Sequence, residues 1–353
     1  MRQAGKIWPE PAPMNNPRKI LIVALDNLGD AVIATALFKP IRDLFPGVQI
    51  GFFVKEYVAG LFSNLPNYFR LHAADPFWDK SPVKGKGSLL NFLRTFNEVR
   101  KENYDSALVL NAEWRRSALC FLAGIPRRFG MGRRKAGFFL NYVQFPPAGK
   151  QHFLEDNLDL LGLLSGRAIH PGEVFPEISL SLTERQKGEK WRSALKWEKN
   201  PVAMIHLLTK KRERSFPLSK WAESIKVLSA MNPDLRFAIL CEEKDKPEIG
   251  PFLKLFREGL IEMVIGGLGD IKAFMSQSSV FIGGDSGPGH LAAALGIPVV
   301  SLFGPTDPDR FRPIGRNLVK VLKHDPLKDM PVEKVGAVVD FCFQVARERI
   351  SKT

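Results

Sequence analysis

The sequence predicts an α/β protein built from two doubly wound parallel sheets, and three observations lead there. Short apolar runs rich in Val, Ile and Leu alternate with amphipathic stretches of helical period, which is the pattern of βαβ units and not of hairpins. The alternation occurs twice, on either side of a Pro/Gly-containing stretch at residues 168–176. A chain of 353 residues is too long for one ordinary core, and 45% hydrophobic residues suffice to fill two.

In order, residues 1–18 carry prolines and charges but no apolar segment, so they read as neither signal peptide nor membrane span, and 1–17 are expected to be a flexible tail. Residues 19–25, KILIVAL, form the continuous apolar run that a strand buried on both faces requires. A turn at 26–30 leads to a helix over 31–45 that Pro46-Gly47 stops, and 48–54 is the next strand. Helices at 89–101, 114–123 and 152–165 and strands at 106–111 and 141–145 complete a first domain, 18–172. The second, 173–328, opens with a helix at 183–197, then a strand at 201–208, a helix at 218–230 and a strand at 235–241; segments 247–258, 263–265 and 271–277 lead into a short apolar strand at 280–282, and a further buried strand follows at 298–303. A final helix at 332–349 lies in a separate C-terminal segment, 329–353.

The formal net charge of +14 favours a polyanionic partner: nucleic acid, an anionic membrane surface or a phosphorylated substrate. No zinc-finger spacing, RNP-like strand or long basic run supports nucleic acid. Cys120, Cys241 and Cys342 are far apart without a C-x-x-C, which fits a reducing compartment, the cytoplasm, and no zinc site.

The stretch 280–308, VFIGGDSGPGHLAAALGIPVVSLFGPTDP, holds the most informative turn. Glycines at the start of a helix after a strand offer free backbone N–H groups and the positive end of the helix dipole, so this turn reads as a phosphate cradle. Gly284 to Gly289 has Walker-loop spacing, but His290 and Leu291 stand where that motif needs Lys and Ser/Thr. The first strand is not followed by G-x-G-x-x-G either, which argues against a dinucleotide site.

Asp285-Ser286-Gly287 with His290, the Ala292 to Ala294 helix and Gly304-Pro305-Thr306 resemble the heptosyltransferases, glycosyltransferase family 9. The resemblance implies the GT-B fold, two Rossmann-like domains facing across a cleft, and an inverting, metal-independent glycosyltransferase that needs no cofactor. The donor would be a nucleotide sugar, ADP-heptose, and the acceptor an anionic glycolipid of the lipopolysaccharide inner core, reached at the inner-leaflet membrane surface from the cytoplasmic side. The family's Gly-Asp turn falls on Gly29-Asp30, making Asp30 the general base; as a helix cap it is expected to keep a low pKa. Donor contacts fall on Thr209, Arg214, Asp285, Ser286, Gly287, His290 and Thr306, with Asp245 on the ribose, a role Glu242 or Glu243 would fill equally well. Arg115, Arg116, Arg127 and Arg128 are the acceptor candidates, beside Arg133-Arg134-Lys135 and Lys80, Lys84 and Lys86. Asp307-Pro308-Asp309 has the spacing of a GT-A metal motif but reads as loop structure here. The family's final helix commonly crosses back to the first domain. A sugar-nucleotide epimerase of the same architecture and a non-catalytic nucleotide-sugar or lipid-binding protein are the competing readings.

Overall fold

The computed structural model describes residues 16–66, 69–81, 85–111, 113–132, 135–145, 151–209 and 215–350. The tail expected at 1–17 falls almost wholly outside them, as do Lys84, Arg133, Arg134 and Arg214. The chain divides into two compact units, residues 1–59 with 65–174, and residues 60–64 with 175–353.

The first unit is built on a parallel sheet of β1 (Lys19–Ala24), β2 (Gln49–Val54), β3 (Phe69–Ala73), β6 (Ser106–Val109), β7 (Arg127–Met131) and β8 (Tyr142–Gln144), in the order β3-β2-β1-β6-β7-β8. A two-residue ribbon, β4 (Lys80–Ser81) with β5 (Gly85–Lys86), stands apart from it. Ile20, Leu21, Ile22 and Val23 of β1 are fully buried, as a central strand covered on both faces requires. The helix expected at 31–45 starts earlier and is not uniform: α1 (Leu28–Ala34) passes through a 3-10 turn, Thr35–Leu37, into α2 (Phe38–Leu44). Pro40 lacks the N–H that would reach back to Ala36, and the tightened turn sits at that gap. The remaining helices are α3 (Leu89–Lys101), α4 (Trp114–Leu122) and α5 (Phe153–Ser165).

The second unit repeats the plan with β9 (Val202–His206), β10 (Arg236–Leu240), β11 (Ile261–Val264), β12 (Val280–Gly284), β13 (Val299–Phe303) and β14 (Val319–Lys323), in the order β11-β10-β9-β12-β13-β14. All its strand pairs are parallel. Its helices are α6 (Leu182–Ala194), α7 (Leu218–Met231), α8 (Lys246–Leu253), α9 (Leu268–Met275), α10 (Gly287–Ala294), α11 (Pro308–Phe311) and α12 (Val332–Ile350). Trp221, Phe216, Phe237 and Phe343 anchor the core. The final helix, α12, belongs to this unit and packs on α7: Asn232 Nδ2 donates to Asp340 Oδ1 at 2.9 Å, and the Lys220 ammonium donates to Met330 O at 2.8 Å.

Each sheet reverses its strand order once, between β1 and β6 in the first and between β9 and β12 in the second. Side chains beyond the carboxyl ends of those strands stand in the crevice where open α/β sheets bind ligands.

Candidate functional site

In the first unit that crevice is charged. Asp26 follows β1, and Arg116, on the first turn of α4 after β6, reaches across the reversal to it. Arg116 Nη2 donates to Asp26 Oδ1 at 2.7 Å and to Leu25 O at 3.0 Å, while Nη1 pairs with Asp26 Oδ2 and reaches Asn111 O at 3.4 Å. With 8% of its surface exposed, Arg116 is the buried counter-ion of Asp26.

Asp30 lies in the first turn of α1, and its Oδ2 accepts the Asn27 N–H at 3.2 Å, so it does cap the helix. The cap does not hold its pKa down. Burial, followed by the nearby Asp26 charge, pushes the carboxyl up to about 7, against the weaker opposing pull of the Asn27 N–H, Arg116 and Lys55. Lys55, nearly buried at the end of β2, donates to Asp79 Oδ2 at 2.7 Å, and Asp75 Oδ1 accepts the Glu56 N–H at 3.2 Å. Burial, with Asp30, Asp75 and Asp26 around it, raises the Tyr57 phenol, which stays a neutral hydroxyl bonded to the Leu28 backbone.

The other arginines do not join this group. Arg115 is exposed, paired to Glu113 at 2.7 Å and lying over the Trp114 ring. Arg127 and Arg128 begin β7, whose register partner is the start of β6, so they stand at the amino edge of the sheet. Arg127 bonds Asp105, and Arg128 donates to Phe139 O at 2.6 Å and Ile125 O at 2.5 Å. The strand register therefore sets them at the opposite edge of the sheet from Asp26 and Arg116.

In the second unit every described donor candidate follows the carboxyl end of a strand: Thr209 after β9, Asp245 after β10, Asp285 to His290 after β12 and Thr306 after β13. Ser286 caps α10 and Gly287 opens it, with Pro288 in the first turn where its missing N–H is not needed. Asp285 N–H donates to Leu302 O at 3.1 Å, and His290, one turn on, is 8% exposed. Thr209 is buried, its N–H and hydroxyl bonded to Ser215 Oγ at 2.9 and 3.0 Å. The Asp245 carboxylate closes its own turn, accepting the Glu242 N–H at 3.0 Å. Thr306 Oγ1 is a buried hydroxyl with no hydrogen-bond partner among the described residues. The loop around it is braced by Lys323, whose ammonium donates to Thr306 O at 2.9 Å and to Gly304 O. Asp307 Oδ1 accepts the Asp309 N–H at 3.1 Å, so that pair starts α11.

Sequence reasoning missed Asp26, Lys55, Tyr57 and His206. His206 ends β9 opposite Gly283 in the register, and its Nδ1 lies 3.1 Å from Ser286 Oγ, spanning the reversal between β9 and β12. A Cβ on Gly283 would stand 3.2 Å from His206 Cβ, so the glycine lets the imidazole sit there. The available signal was a polar residue closing an apolar strand.

Among the described residues no helix is long and apolar enough to cross a membrane. No group of three or more His, Cys, Asp or Glu among them is placed to hold a metal ion.

The chain is 26% identical to the lipopolysaccharide heptosyltransferase 1 of Campylobacter coli, over 94% of its own length and 96% of that protein's. Among solved structures, the glycosyl transferase family 9 protein of Veillonella parvula DSM 2008 has the same fold at a TM-score of 0.79 and 17% identity, covering 93% of this chain and 97% of that one. The E. coli heptosyltransferase WaaC with ADP gives 0.74 and 18%, covering 92% and 99%. The model of glycosyltransferase family 9 (heptosyltransferase) matches residues 92–335, and with two reversing parallel sheets carrying their polar clusters at the carboxyl edges the chain belongs to this family of glycosyltransferases.

Proposed function

We propose that the protein transfers a heptose, or a related sugar, from an ADP-activated donor to an anionic inner-core lipopolysaccharide acceptor, with inversion and with Asp30 as general base. The observation that carries this reading is the position of Asp30 beyond β1 with a carboxyl pushed up to about 7, where ionised base and adequate basicity coincide near neutrality. The acceptor hydroxyl oxygen attacks the anomeric carbon, the bond from that carbon to the diphosphate oxygen breaks, and the hydroxyl proton passes to Asp30. Attack from the face opposite the leaving group inverts the centre.

The diphosphate is received at the amino end of α10, where Gly287 and the helix dipole favour an anion, with His290 on the same helix and Thr306 as a further contact. Thr209 and Arg214 complete the donor set, and Asp245 meets the ribose. The relative with ADP in its solved structure supports a nucleotide donor, and the lipopolysaccharide heptosyltransferase of Campylobacter coli supports the acceptor class.

The acceptor's lipid end places the protein at a membrane surface. Trp114, Arg115, Phe121 and Leu122 form one exposed stripe along α4, and Phe138, 85% exposed, follows on the adjoining 3-10 turn. Aromatic and basic side chains of this kind seat at an anionic lipid interface. Co-sedimentation with phosphatidylglycerol vesicles should fall when Phe121 and Phe138 are both changed to Ser, and unchanged binding would remove this face from the reading.

Incubation with ADP-heptose, with and without acceptor, tests the whole. Transfer that requires acceptor and inverts the anomeric centre is expected. Isomerised donor formed without acceptor would establish the epimerase instead, and nucleotide binding with no product would establish a binding protein.

A further inference from the structure

The donor turn rests on a hydrogen-bond sequence that can be counted proton by proton. Ser286 Oγ has two partners, His206 Nδ1 at 3.1 Å and Gly284 O at 3.1 Å. A hydroxyl carries one hydrogen, and a carbonyl only accepts. The Ser286 hydrogen is therefore committed to Gly284 O, and the bond to His206 must run the other way, from Nδ1–H to Oγ. We propose that His206 is a positioning residue for the donor site: as the neutral Nδ1–H tautomer it donates to Ser286 Oγ, which donates to Gly284 O. The turn then presents main-chain N–H groups, and neither the Ser286 hydroxyl nor an imidazolium, to the diphosphate.

This rests on the donor reading of the turn and reassigns one of its members. Burial keeps the imidazole neutral by pushing it down to about 4, while Asp245 and Glu242 pull weakly the other way. The bond also ties the end of β9 to the N-cap of α10, two residues past β12, so it fixes where α10 begins relative to the sheet. Its free nitrogen, Nε2, is left an acceptor, suited to a ligand hydroxyl and not to a phosphate oxygen.

Three measurements decide it. The imidazole ¹⁵N shifts of His206 in the ligand-free protein should report Nδ1–H with Nε2 bare, unchanged between pH 5.5 and 8; an Nε2–H tautomer, or titration in that range, overturns the hydrogen-bond order. ADP affinity should fall roughly five- to tenfold in His206→Ala and in Ser286→Ala, and the double variant should be no worse than about twofold below either, because the two act in series. Multiplied losses would mean that Ser286 touches the phosphate independently and would overturn the proposal. His206→Asn, whose amide nitrogen occupies the place of Nδ1, should restore most of the affinity, whereas His206→Gln should not; equal loss in both would reduce His206 to packing. Wild-type protein that binds no ADP would overturn the donor reading itself, while the tautomer would still decide the order of bonds.

Discussion

At the scale of single residues, Asp30 links stability to reaction. Its carboxyl, ordinarily near 3.8, is raised to about 7, so between those values the folded protein holds a proton that the unfolded chain has released. Stability from this group is therefore full at pH 4 and falls as the pH rises to 7, by at most roughly 4 kcal/mol at about 1.4 kcal/mol per pKa unit. Asp30→Asn removes the burden. Urea melts should show the variant more stable than wild type at pH 8 and equal to it at pH 4; parallel curves would contradict the raised pKa. Arg116→Met should cost roughly 3–5 kcal/mol by leaving Asp26 buried and unpaired, and it should move the acid limb of the rate profile to higher pH, because the uncompensated Asp26 charge raises Asp30 further. Gly29-Asp30 was legible as a turn with a carboxylate. Its basicity was not, because that depends on burial and on Asp26 and Arg116, and the sequence does not state that residues 90 apart form a bidentate pair.

At the scale of elements, continuous apolar runs and helical periods were legible, the edge strand β8 among them, and strands interrupted by charged residues were not. Residues 89–101 satisfied every helix signal and form α3, with Ser88 Oγ accepting the Asn91 N–H at the cap. β3 was missed because Arg70 and His72 interrupt its apolar pattern; His72 is buried nonetheless, its Nε2 bonded to the Tyr104 hydroxyl at 2.7 Å. β7 opens on Arg127-Arg128 and read as a basic cluster, and β14 carries Lys320 and Lys323 in the manner of a protected edge. The insertion of 60–64 into the second unit left no sequence signal, since it depends on tertiary partners: Ser63 bonds Glu184, Asn64 bonds Ser179, and a buried lysine reaches Leu61. Lys272 of α9, wholly buried, donates to Leu61 O at 3.0 Å and Ser179 O at 3.2 Å and pairs with Glu184 of α6 at 2.8 Å. Lys272→Met keeps the side-chain length but strands two carbonyls and removes the cation facing Glu184, which keeps only the Ser63 hydroxyl and the Ser181 N–H, so thermal unfolding should register a loss of roughly 3–5 kcal/mol. A loss below about 1 kcal/mol would mean that the pair offsets only its own desolvation.

At the scale of the molecule, two sheets of the same strand order each place a polar bridge across their reversal, Asp26–Arg116 in one unit and His206–Ser286 in the other. The glycine-rich turn of the second was readable as a strand-to-helix turn from its glycines, whereas the aspartate and histidine ends of these bridges were ordinary residues at strand ends until the topology brought their partners to them. Whether Asp30 takes the acceptor proton is decided by the rate of Asp30→Asn at pH 8 with saturating ADP-heptose and acceptor. Asn still offers an oxygen to the Asn27 N–H, so fold and donor affinity should persist while kcat falls by roughly two to four orders of magnitude. A kcat within a few-fold of wild type would contradict the claim and place the base elsewhere.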